Sequence, residues 1–143
     1  MLYLDTSIVV PVVFFEDTSE RVERFVRSRP PGALMTSHWT RVEFSSTLAR
    51  EVRLGTFDHP TALAIEKDFD DLIAESFELL LPSIDDFETA KTYLRRYETG
   101  LRGGDALHLA IAANRGAERI FSLDKRMVKA GRMLGLPIET GID

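Results

Sequence analysis

Four short apolar stretches, Leu2–Leu4, Ala33–Thr36, Leu79–Leu81 and Arg119–Leu123, alternate with segments of helical periodicity. This alternation constrains the fold more than any other feature. Short apolar strands separated by helices bury both faces of a sheet, which parallel strands with helical crossovers do. The chain is therefore expected to be α/β, one domain over residues 1–143, with a mostly parallel sheet of four or five strands flanked by helices. Pro137-Ile138 offers the fifth strand. The expected helices are Val9–Phe15, a segment capped by Thr18 with Val22, Phe25 and Val26 on one face, and His38–Leu54 capped by Ser37. After these come Thr61–Phe77 behind Pro60, a helix opened by Asp85 or Asp86, Ala106–Ala113, and Lys125–Leu134. Phe87, Ala90, Tyr93, Leu94 and Tyr97 share the face of the helix opened by Asp85 or Asp86. Pro11 falls late for a first turn and is expected to kink or shorten the first helix.

Composition removes several chemistries. The 143 residues include no cysteine and three histidines, His38, His59 and His108. Disulfides, thiol catalysis and Cys–zinc sites are excluded, and a His-rich metal site is disfavoured. The N-terminal Met-Leu-Tyr-Leu-Asp lacks a basic leader region, and the longest uncharged apolar run, Ile8–Phe15, is too short to span a bilayer. A protein without membrane association, in the cytoplasm, is expected. The net charge of −5 argues against a generic nucleic-acid binder. The charge is uneven, however. Residues 66–88 hold nine acids against Lys67, and residues 119–132 hold five basic residues against Asp124. That asymmetry permits a local basic surface, or simply two solvated helix faces.

Carboxylates supply the candidate chemistry. Asp5 and Asp124 each follow an apolar strand, where open parallel sheets bind ligands. Asp105 begins an apolar helix after Gly103-Gly104, and Glu43 lies on a polar helix face with Ser46 and Thr47. Each acid also has a plain reading. Asp5 and Asp124 suit helix caps, Asp105 a first-turn dipole partner, and Glu43 an ordinary surface position. His108, one turn after Asp105, reads as a packed, hydrogen-bonded histidine, and Trp39 and Val42 read as core. Four carboxylates at one edge repel: two of them 4 Å apart cost roughly 4 kcal/mol at an effective dielectric near 20. Raised pKa values or a bound hard cation relieve this, and magnesium or manganese suits an all-oxygen site.

Tyr3-Leu4-Asp5-Thr6-Ser7, Thr40-Arg41-Val42-Glu43-Phe44, Gly104-Asp105-Ala106-Leu107-His108-Leu109-Ala110 and Ser122-Leu123-Asp124 together resemble the PIN domain. The likeness is greatest to VapC-type toxins of prokaryotic toxin–antitoxin pairs. The order and spacing of the four motifs carry it across the whole chain. It implies that Asp5, Glu43, Asp105 and Asp124 form a catalytic Mg²⁺ or Mn²⁺ site. Thr6 matches the hydroxyl position beside the first acid, and Ser122 a Ser/Thr position before the fourth; both are candidate substrate contacts. The implied activity is metal-dependent endoribonuclease cleavage of tRNA, rRNA or mRNA. A homodimer and a cognate antitoxin are the implied partners. Arg102, Lys125, Arg126 and Lys129 stand close enough in sequence to the acids to contact RNA phosphates. A groove for the antitoxin could lie between the second and third helices, whose Val22, Phe25, Val26 and Leu48 the sequence assigns equally to that groove or to the core. Pro11 departs from the family's uninterrupted first helix. The alternative reading is a non-catalytic or housekeeping PIN module acting without an antitoxin. A response-regulator receiver and a haloacid-dehalogenase-type phosphatase fit less well, because strand 1 is followed by one acid and Asp5-Thr6-Ser7 lacks Asp-x-Asp.

Overall fold

The computed structural model describes residues 1–14 and 19–142, with side chains 12–14 excepted. Five strands, β1 (Leu2–Leu4), β2 (Leu34–Ser37), β3 (Glu78–Leu80), β4 (Arg119–Ser122) and β5 (Ile138–Thr140), form one sheet in the order β3-β2-β1-β4-β5. Every pairing is parallel. The described helices are α1 (Thr6–Phe14), α2 (Ser19–Arg27), α3 (His38–Arg53), α4 (His59–Ser76), α5 (Ile84–Leu94), α6 (Gly103–Asn114) and α7 (Lys125–Met133), with a short 3₁₀ turn at Tyr97–Thr99. None of them is long and apolar enough to cross a membrane.

Strand alternation divides the core into two layers. Leu4, Leu34 and Phe121 face one way, onto Ile8, Val22, Phe25, Phe44, Phe69 and Ile73 of α1–α4. Tyr3, Met35 and Ile120 face the other, onto Leu107, Leu109, Ile111, Met127 and Val128 of α6 and α7. Side chains of successive strand residues point to opposite faces, so each three- or four-residue strand serves both layers. Ala90, Ala106 and Ala110 let α5 and α6 approach closely.

The sheet reverses winding direction between β1 and β4. That switch point opens a crevice beyond the carboxyl ends of the two strands. Leu4 pairs with Phe121, so Asp5 and Ser122 emerge side by side. The Asp5 N–H still donates to Phe121 O at 3.2 Å.

Several boundaries and assignments differ from the sequence expectation. β2 includes Ser37, whose side chain does not cap α3. The Thr18 cap lies outside the described residues. α1 continues through Pro11 rather than stopping there. α4 starts earlier than expected, because Asp58 caps it by accepting from the Thr61 N–H at 2.9 Å. Ser83 and Asp86 form a reciprocal capping box on α5, so neither Asp85 nor Asp86 is the cap. Tyr97 falls beyond α5 and is exposed. α6 starts at Gly103 rather than Ala106, so Gly103, Gly104 and Asp105 all lie in its first turn.

Val22, Phe25, Val26 and Leu48 are all buried in the α1–α4 layer. An apolar docking groove made from these four is therefore ruled out; they are core. Conversely, Val42 is exposed, and with Phe87, Leu94 and Leu107 it lines an apolar groove of about 520 Å³ among α3, α5 and α6. Within the acidic run, Asp86 is fully buried. It accepts from the Ser83 N–H at 2.8 Å and from Asn114 Nδ2 at 2.8 Å, linking α5 to the end of α6. Burial opposes its charge, but these donors and Arg115 hold its carboxyl below the usual range.

Candidate active site

The crevice at the switch point is a cleft of about 580 Å³, and Asp5, Glu43, Asp105 and Asp124 all line it. Four separate elements deliver them. Asp5 follows β1, Glu43 sits on α3, Asp105 in the first turn of α6, and Asp124 immediately before α7.

Asp5 is 4% exposed and held at both oxygens. Ser7 Oγ donates to Oδ1 at 2.6 Å, and Ser122 Oγ donates to Oδ2 at 2.7 Å. Oδ1 also receives the Ile8 N–H at 3.3 Å, so Asp5 caps α1 while lining the cleft. Both sequence readings of this residue are realised together. Burial raises the Asp5 pKa above the usual carboxylate value, opposed by His108 and the two serines. Ser7 is fixed in turn by the Leu123 N–H at 2.8 Å.

Glu43 Oε1 accepts from Thr6 Oγ1 at 2.6 Å and is hydrogen-bonded to His108 Nε2. Burial pushes this carboxyl up, but His108 and Thr6 outweigh it and hold the pKa below the usual value. Gly104, the residue before Asp105, packs beside Glu43 and Trp39: a Cβ there would lie in van der Waals contact, 3.4 Å from Glu43 Oε2 and from the Trp39 ring. The buried Trp39 Nε1 has no partner among the described residues.

Asp105 is pushed up to about 6. Burial is the largest cause, followed by repulsion from Asp124, with smaller repulsion from Glu43 and Asp5. Its pKa thus reflects burial first and the negative field of the cluster second, against a helix N-terminus that favours the charged form. Asp124 caps α7: Oδ1 accepts from the Arg126 N–H at 2.9 Å and the Met127 N–H at 3.2 Å. Its cap role is therefore present in the structure, and Oδ2 remains without a hydrogen bond from the described residues.

Two hydroxyls singled out as substrate contacts have other work. Ser122 is fully buried; it donates to Asp5 and accepts from the Asp124 N–H at 3.0 Å, so it orients acids rather than meeting RNA. Thr6 spends its one proton on Glu43. Arg102, Lys125 and Arg126 rim a smaller pocket of about 260 Å³ that shares Asp105 and Asp124 with the main cleft. Lys129, one turn further along α7, is exposed and does not line it. Ser7, Tyr3 and His108 were not assigned to the site from sequence. Only the tertiary pairing of β1 with β4 and α6 reveals their partners.

A hard dication fits the donor set. The open acids are all oxygen donors, no sulfur is present, and both ring nitrogens of His108 are already hydrogen-bonded. Among the described residues, no group of three or more His, Asp or Glu side chains is arranged so that it could hold a metal ion on its own. An ion that keeps several waters, as Mg²⁺ does, needs only one or two direct carboxylates.

The structure thus defines an α/β domain with an open parallel sheet and an acidic cleft at its switch point. The PIN-domain family model matches residues 2–133, and the chain belongs to the PIN-domain family. No curated protein sequence matches it. Among solved structures it is similar to Mycobacterium tuberculosis VapC20, described as a sarcin–ricin loop cleaving toxin. That match has a TM-score of 0.71 and 22% identity, over 92% of this chain and 95% of the other. It is also similar to DNA-bound VapBC from Salmonella typhimurium, with a TM-score of 0.70 and 17% identity over 97% and 96% of the two chains. FitAcB from Neisseria gonorrhoeae matches with a TM-score of 0.70 and 14% identity over 96% of each.

Proposed function

We propose that the protein is a Mg²⁺- or Mn²⁺-dependent endoribonuclease and the toxin of a type II toxin–antitoxin pair. The observation that carries this reading is the convergence of Asp5, Glu43, Asp105 and Asp124 on one cleft flanked by Arg102, Lys125 and Arg126. Negative charge collected beside positive charge suits a cation at the acids and phosphates at the rim. Asp5, Glu43 and Asp105 would hold the ion, with Asp124 Oδ2 assisting. Such an ion, when bound, lowers the pKa of water and stabilises charge on a phosphodiester.

The chain's own residues do the rest. Ser7 and Ser122 fix the Asp5 carboxylate, and Thr6 fixes Glu43. Arg102, Lys125 and Arg126 bind the phosphates flanking the scissile bond and so set the register of the strand. Substrates are tRNA, rRNA or mRNA. The site also suits an inhibitor that inserts an arginine, whose planar fork can pair bidentately with Asp5, Glu43 or Asp105. One similar structure is described as a toxin–antitoxin complex from Klebsiella pneumoniae and others as VapBC, which supports an antitoxin as partner. The protein acts as a homodimer in the cytoplasm.

The test is cleavage of total RNA by purified protein with Mn²⁺, with excess chelator, and with Asp105→Asn. The reading expects discrete cuts with Mn²⁺ alone and none in the other two. Cleavage that survives both chelator and the substitution contradicts it.

A further inference from the structure

We propose that His108 is a positioning residue: its Nε2–H holds one oxygen of Glu43 and leaves the other free for the cation. The inference rests on the metal-nuclease reading above.

His108 lies one turn after Asp105 on α6 and is 1% exposed. Its Nε2 faces two oxygens, Glu43 Oε1 and Thr6 Oγ1, the latter at 3.2 Å. A carboxylate only accepts. Thr6 has one proton, which it gives to Glu43 at 2.6 Å, so toward His108 it also accepts. Two acceptors facing one ring nitrogen require that nitrogen to carry the proton.

The other side of the ring fixes its orientation. Nδ1 is 2.7 Å from Tyr3 Oη, which is itself 3.3 Å from Ser37 Oγ. Tyr3 and Ser37 are fully buried in β1 and β2. The Tyr3 and His108 rings meet edge to face, with centroids 5.9 Å apart. Whichever way the Tyr3 hydroxyl turns, Nε2 keeps its hydrogen. A buried chain Ser37–Tyr3–His108–Glu43 thus runs from the sheet to the cleft. It ties α3 to α6 through the acid itself.

The consequence concerns the second oxygen of Glu43. Oε2 has no hydrogen bond from the described residues; a Cβ at Gly104 would be 3.4 Å from it, and the Glu43 side chain lines the acidic cleft. A carboxylate locked at one oxygen presents the other in a fixed direction, so less side-chain freedom is lost when a ligand binds. Sequence spacing offered His108 only as a packed histidine. The structure gives that packing a direction and an acceptor.

The test combines two measurements. In the metal-free wild-type protein, long-range ¹H–¹⁵N NMR should show His108 Nε2 protonated; an Nε2 without a proton overturns the proposal. Calorimetric Mn²⁺ titration then compares wild type, Asp105→Asn, His108→Leu and His108→Gln, with folding checked by thermal melts. Outer-shell partners of metal sites are worth about 10- to 100-fold in affinity. His108→Leu should therefore bind Mn²⁺ at least about tenfold more weakly, while His108→Gln, which restores an N–H donor, recovers most of the loss. Equal affinity in a folded His108→Leu protein, with Asp105→Asn abolishing binding, overturns this proposal alone. Absence of Mn²⁺ binding by the wild type overturns it together with the metal-nuclease reading. Should His108→Leu not fold, the NMR result and His108→Gln decide.

Discussion

Ser122 donates its hydroxyl proton to Asp5 Oδ2 at 2.7 Å, across 117 positions of sequence. The bond joins the carboxyl ends of β4 and β1 at the point where the sheet reverses winding. It also explains why the first acid tolerates near-complete burial: Ser122 and Ser7 each supply a donor to one of its oxygens. Ser122→Ala is expected to cost about 1 kcal/mol of stability. It should also weaken Mn²⁺ binding about tenfold, with Ser122→Thr close to wild type. Calorimetry on the three proteins checks this; unchanged affinity in the alanine variant contradicts it.

The raised pKa of Asp105 sets a pH dependence with a definite sign. In the unfolded chain an aspartate ionises near pH 3.9. In the folded, metal-free protein Asp105 does so at about 6. Between these values the folded state holds a proton that the unfolded state has released, so stability falls as pH rises through the window. Asp5, raised by burial, acts in the same direction. Glu43, lowered, acts oppositely, and its contribution is lost as pH falls below its ordinary value of 4.5, so it does not change above that pH. Urea denaturation in chelator should show stability declining from pH 4.5 to 6.5, with a flatter profile for Asp105→Asn. A profile that rises with pH in the wild type is the contrary result.

Metal should reverse that decline. A ligand bound only by the folded state at about 100 times its dissociation constant adds roughly 2.7 kcal/mol. Ligating carboxylates must shed protons, so Mn²⁺ affinity should also climb as pH rises through 6. Thermal melts with Mn²⁺, and again with chelator, read both effects. Superimposable melts at pH 7 would remove the shared-cation account.

The basic rim predicts a graded effect. Arg102, Lys125 and Arg126 line the pocket beside Asp105 and Asp124, whereas Lys129 does not. Changing the first three to alanine should weaken RNA binding and reduce the slope of log affinity against log salt by about 0.7 per lost contact with single-stranded RNA. Lys129→Ala alone should leave the slope unchanged. Equal effects from all four positions would indicate a diffuse surface field instead.

Asp86 separates fold from site. It is buried, closes the α5 capping box and binds Asn114, yet it does not line the acidic cleft. Asp86→Ala should destabilise by about 2 kcal/mol through the lost cap and the donors left unpaired. Chemical denaturation measures this, and Mn²⁺ affinity should be unaltered in the folded variant.

The strand–helix alternation and the four acids were legible because strand ends and helix starts leave local signals. Asp5 after Leu4 and Asp105 after two glycines needed no tertiary knowledge. What the sequence hid depends on pairing between distant segments. Ser37 looked like a cap but belongs to β2, because a strand end and an N-cap share extended backbone. Val42 looked like core, yet its α3 position points to an open groove. Val22, Phe25, Val26 and Leu48 gave no sign of which layer they would enter. His108 showed its spacing from Asp105 but not its partners, since Glu43 is 65 positions away.

The central claim is that Asp5, Glu43 and Asp105 share one divalent cation at the carboxyl edge of β1 and β4. Anomalous diffraction from crystals soaked in Mn²⁺ tests it most directly. The account predicts a manganese peak within ligand or water-bridged distance of all three carboxylates, lost in Asp105→Asn crystals. A fully soaked crystal with no peak in the cleft, or with manganese bound only elsewhere, would contradict it.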